Sequence, residues 1–141
     1  MVWTAISAIL SYAIAGAMNG CMDKLQFHYG KSIFPKGSQY WNPAISWRNK
    51  YKNGDVNQGP KFPGSTTIFV WLTDGWHLLQ TGYLSFQRLA IVLAASSFYE
   101  FSPDRWENIG SWAVVWLALI WVHAAGFHLT YSVILPKSNK V

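Results

Sequence analysis

A chain of 141 residues has room for one domain, and 12% charged residues beside 17% aromatic ones do not suit a surface exposed to water. The net charge of +5 would fit an anionic partner, but seven of the eleven Lys and Arg lie between Lys24 and Lys61, beside apolar segments and within no recognisable nucleic-acid module. Anionic lipid headgroups are therefore the expected partner, nucleic acid is not, and the lone Cys21 excludes an intrachain disulfide or a thiolate cluster.

Residues 2–22 carry no charge and at ~1.5 Å per residue are long enough to cross a ~30 Å hydrocarbon layer. No Lys or Arg precedes them, so this segment reads as a retained helix over about 2–29 rather than a cleaved signal peptide. Residues 31–64 hold four of the six prolines and no sustained apolar period, which makes them a loop. Within it Trp41, Trp47, Arg48, Lys50 and Lys52 form the aromatic and basic mixture expected at lipid headgroups.

Pro63-Gly64-Ser65-Thr66 supplies a turn with hydroxyl caps, from which helices are expected over about 65–81 and 84–100, broken at Gln80-Thr81-Gly82 and Gln87-Arg88. Ser102-Pro103-Asp104 then reads as Ser cap, Pro at the first helical position and acid in the first turn, opening a helix over about 103–135. The expected fold is all-α, a small integral membrane helical bundle of four helical segments, three or four of them crossing the bilayer. The bias of Lys and Arg puts loop 31–64 on the cytoplasmic side of what reads as a bacterial inner membrane.

Ionisable groups inside a bilayer are costly and ask for partners. Counted from a helix start at Ser65, His77 lies at the same mid-bilayer depth as His123, so two imidazoles could share a haem b iron or a divalent metal. Asp74 stands three residues before His77 on nearly the same face, and His128 is a further candidate ligand. The plainer reading of each histidine is a hydrogen bond to a backbone carbonyl or hydroxyl. Asp23, His28 and Arg88 are candidates for proton relay or for supporting a ligand.

Gly16, Asn19, Gly20 and Asp23 share one face of the first helix, and Gly16 and Gly20 form a small-xxx-small pair suited to a homo- or hetero-oligomer contact. Three functions are compatible with these features: a subunit or assembly partner within a membrane complex, a metal- or haem-binding protein using His77 and His123 with Asp74, and an oligomeric proton or ion transporter.

Overall fold

The computed structural model describes residues 2–128, and over them the chain is all-α with no strand. There are three α-helices: α1 Val2–Phe27, α2 Gly75–Ser96 and α3 Arg105–His128. Three replace the four expected, because the polar breaks at Gln80 to Gly82 and at Gln87-Arg88 do not interrupt α2, which runs through both. The expected helix over 65–81 is turns and 3-10 structure as far as Leu72. The part of the last helix expected beyond His128 lies outside the described residues.

The chain divides into two compact units, Leu10–Gln87 and the pair Met1–Ile9 with Arg88–Val141. In the first, the segment from Tyr29 to Leu72 is wound through seven short 3-10 turns among the described residues. Its prolines remove helical N–H donors, and positive φ at Asn53, Gly54, Gly59 and Gly64 reverses the chain locally. An isolated antiparallel bridge pairs Tyr51 with Pro60, flanked by Lys52 N–H donating to Gly59 O and Lys61 N–H to Lys50 O.

Along α1 in this unit, Ser11, Ala15, Met22 and Leu25 are buried and Met18 is half-buried. Their spacing of three and four residues marks one seam of the helix. Met18 lies where α2 has Gly82: a Cβ there would stand 2.4 Å from Met18 Sδ. Gly82, read from sequence as a break, is a point of close helix approach instead.

In the second unit, α2 ends with Ser96 and Ser97 hydroxyls donating to Leu93 O, which satisfies a carbonyl of the last turn. The cap of α3 is Asp104, not Ser102: Asp104 Oδ1 accepts from the N–H groups of Trp106 and Glu107 at 2.9 and 3.0 Å. Ser102 supports it by accepting from Asp104 N–H and donating to Glu107. Pro103 thus precedes the helix. Phe101 packs edge-on against Trp112 at 4.9 Å between ring centres.

Candidate functional site

The most constructed part of the first unit is the start of α2. Asp74 occupies the N-cap, with its Oδ1 accepting from His77 N–H at 2.9 Å. The His77 side chain returns to the same group, its Nδ1 lying 2.8 and 2.7 Å from Oδ1 and Oδ2. An ionised carboxylate can only accept, so the His77 ring donates to it through Nδ1–H. Asp74's side chain is 4% exposed and that of His77 is 37% exposed. The carboxylate is therefore a buried anchor, and the imidazole is reachable from outside.

Electrostatics agree with that assignment. Burial is the largest single influence on Asp74 and pushes its carboxyl upward. Hydrogen bonds from the His77 ring and backbone, with the charges of His77 and Lys50, outweigh it and hold the carboxyl below its ordinary value. Tyr40 is raised, first by burial and then by the negative charge of Asp74.

The loop buckles onto this cap from above. Tyr40 Oη donates to Trp71 O at 2.9 Å, Asn49 Nδ2 to Thr73 O at 3.0 Å, and Ser65 Oγ to Lys50 O at 2.7 Å. The Trp71 and Thr73 carbonyls are thereby satisfied, and the Lys50 carbonyl, which also accepts from Lys61 N–H, gains a second donor. Trp41 lays its indole over Gly75, where a Cβ would meet Cε3 at 2.2 Å. Only glycine leaves room for that ring.

Comparisons with protein-family models, curated proteins and solved structures find no match. Whatever the site does must therefore be argued from its own atoms. A buried carboxylate that holds an imidazole through Nδ1–H leaves Nε2, when unprotonated, able to accept a proton or bind a metal. The same two residues also close the first turn of a helix, and that local role accounts for every bond they make.

With α2 beginning at Gly75, His77 sits in the first turn of its helix rather than twelve residues into one. His123 is exposed on α3. His77 belongs to the first unit and His123 to the second. The side chain of His128 lies outside the described residues. Among the described residues no three His, Cys, Asp or Glu side chains gather as a metal-holding group.

Asp23 and His28 are exposed, and Arg88 is half-buried on α2. Gly16, Asn19 and Gly20, expected to form a packing face, are exposed on the side of α1 away from its buried seam, with nothing near either glycine. Trp41, expected among lipid headgroups, is half-buried against Gly75, whereas Trp47, Arg48 and Lys52 are exposed and Arg48 stacks over Trp47 at 5.5 Å. Lys50 is half-buried, its carbonyl held by Ser65 and by Lys61 N–H.

Sequence reading missed Tyr40, Asn49, Ser65 and Gly75 as site residues. Asp74 ahead of Gly75-Trp76-His77 was a legible N-cap signal. Asn49 left no signal, since its bond to Thr73 spans a loop whose path no local pattern specifies.

Proposed function

We propose that this chain is a small polytopic integral membrane protein acting as a subunit or assembly partner within a membrane complex. One observation carries the reading. Among the described residues two helices are long and apolar enough to cross a bilayer, Trp3–Phe27 and Arg105–Ala125, with 11% and 0% of their apolar windows buried within the chain. A core helix of a water-soluble protein is mostly buried; outside the α1 seam these leave Trp3, Ile9, Leu10, Trp106, Val114 and Trp121 exposed, more apolar surface than a soluble monomer usually leaves uncovered.

Two further features support a partner. Gly16 and Gly20 stand open on α1, a surface on which a second helix could approach closely. The basic loop between α1 and α2 suits the cytoplasmic face of a bacterial inner membrane, by the same charge bias that orients other small membrane proteins.

The test is expression of the full chain followed by an alkaline carbonate wash of the membranes and chemical cross-linking within them. The expected result is carbonate-resistant protein in an assembly larger than the 16.0 kDa chain, broken by the double substitution Gly16→Leu and Gly20→Leu. Release by carbonate, or a monomer throughout, would refute the proposal.

A second reading rests on the Asp74–His77 bond. An imidazole held by a buried carboxylate resembles a ligand for haem b or a divalent metal fixed by its supporting shell. Absorption spectroscopy with elemental analysis of the purified protein separates the two. A Soret band or stoichiometric metal lost in His77→Ala supports the second; colourless, metal-free, folded protein removes it.

A further inference from the structure

The loop of the first unit forms an open hollow of about 310 Å³, lined by the exposed Ser38, Gln39, Lys61 and Leu72 and the more buried Tyr40, Asn49, Phe62 and Thr73. Its volume falls at the lower end of the ~300–1,000 Å³ of small-ligand sites. Its chemistry is one-sided. The lining contains a lysine and no carboxylate, and among the described residues Lys61 forms no ion pair.

The donors outnumber their internal uses. Ser38 Oγ makes no hydrogen bond among the described residues, neither capping the 3-10 turn it precedes nor donating its proton. Gln39 spends one amide N–H on Asn49, and Asn49 spends one on Thr73 O, which leaves each a second. Tyr40 has already donated to Trp71 O and offers the cavity only its lone pairs. The free set is an ammonium, a hydroxyl and two amide N–H groups, which is the complement of a tetrahedral oxyanion.

The surrounding charge agrees. Residues 24–61 carry seven Lys or Arg against one acid, Asp55, and Asp55 spends its carboxylate on the N–H groups of Asn57 and Gln58; Asp74, whose charge reaches the lining residue Tyr40, is bound by His77. The same lining includes Leu72, 51% exposed, and the half-buried Phe62. A lysine and apolar side chains around one opening suit a ligand with both characters.

From these observations we infer that the cavity binds a phosphate group, with Lys61 as the charge partner and Ser38, Gln39 and Asn49 as hydrogen-bond donors, and that the phosphate is presented by an anionic phospholipid whose chains pass over Phe62 and Leu72. The choice of a lipid rather than a free phosphate rests on the membrane reading above; the phosphate site itself does not.

The test uses the full chain purified in detergent, titrated with dioctanoyl phosphatidylglycerol, with dioctanoylglycerol and with inorganic phosphate, and followed by native mass spectrometry and thermal melting. Phosphatidylglycerol is expected to bind and to raise the melting temperature, and dioctanoylglycerol, with the same chains and no phosphate, is not. Lys61→Gln with Ser38→Ala should weaken phosphatidylglycerol about tenfold, the loss of one charge-assisted contact and its neighbour. Lys61→Arg should restore most of it, and Lys36→Gln, an exposed lysine outside the lining, should change nothing.

Binding of phosphatidylglycerol alone identifies a lipid headgroup site. Binding of inorganic phosphate with the same dependence on Lys61 supports the phosphate site and assigns it to a free phosphate ester. Equal binding of dioctanoylglycerol, no binding of either phosphate, or binding indifferent to Lys61 and Ser38 overturns the proposal. Carbonate-resistant protein with no phosphate binding would remove the site and leave the membrane reading, while phosphate binding by a chain that washes off would do the reverse.

Discussion

The segment from Tyr29 to Thr73 and helix α3 satisfy their backbones in opposite ways. The first contains no α-helix, yet Tyr40, Asn49 and Ser65 reach across it to carbonyls 31, 24 and 15 residues away in sequence. The second is an uninterrupted helix whose apolar window is 0% buried, and two of its indole N–H groups, on Trp112 and Trp116, are buried with no acceptor among the described residues. Polar satisfaction is built from side chains reaching far along the sequence in one region and, beyond the local Asp104 cap, from the helical ladder in the other. Irregular structure and loose structure are therefore not the same thing in this protein, and the helix is the part that lacks company.

That contrast can be broken first where it is largest. Leu117 is about half exposed near the middle of the α3 span. Leu117→Lys should cost ~2.5–3.5 kcal/mol of membrane integration, read as the fraction of chain resisting a carbonate wash. Lys52→Gln in the loop should leave that fraction unchanged. Equal behaviour of the two variants would mean that α3 does not meet hydrocarbon.

Next comes the seat of α2. Gly75→Ala places a methyl group inside the Trp41 ring and should destabilise by ~1–3 kcal/mol as an overpacked contact, seen as a lowered melting temperature in detergent. Adding Trp41→Ala should relieve part of that loss, a positive coupling in a double-mutant cycle. Strict additivity would show that the indole does not rest there.

The cap itself gives a somewhat smaller effect. Asp74→Ala should cost ~0.5–2 kcal/mol, and Asp74→Asn less, because an amide oxygen still accepts from His77 N–H. The sign of the pH effect follows from the lowered carboxyl. The unfolded chain takes up its proton near pH ~3.9 and the folded one only below that. The stability from Asp74's charge is thus complete above the unfolded value and is lost as pH falls through the lower folded one. Thermal melts of wild type against Asp74→Asn from pH 7 to 3 should converge at the acid end.

Smallest is Arg48→Gln. It removes a surface cation from the face of Trp47 and should cost no more than ~0.5–1 kcal/mol. A larger loss would reveal that this exposed pair is part of the loop's framework.

Much of the helical content was legible and much of the site was not, for a physical reason. The uncharged run of α1 and the Ser-Pro-Asp opening of α3 announce themselves within a few residues, because hydropathy and capping are local, although the cap falls on Asp104 rather than Ser102. The start of α2 was misplaced by ten residues, from Ser65 to Gly75, because hydroxyls at 65–67 resemble caps until the distant Lys50 carbonyl claims Ser65. The polar triplet at Gln80 to Gly82 resembled a break because nothing in sequence says that Met18 stands over Gly82. Asp74 and His77 were singled out correctly as neighbours on one face, but as ligands in mid-helix rather than as the closing bond of a first turn.

The ring of Trp41 over Gly75 also bears on how the chain is made. Trp41 leaves the ribosome well before Gly75, but Tyr40 and Asn49 beside it are held by Trp71 O and Thr73 O, so the seat for the first turn of α2 can be completed only as that turn is synthesised. Closure of the loop then becomes a step in biogenesis: Asp74 and His77 close the first turn locally, and its packing under the Trp41 ring follows once residues 71–75 have been made.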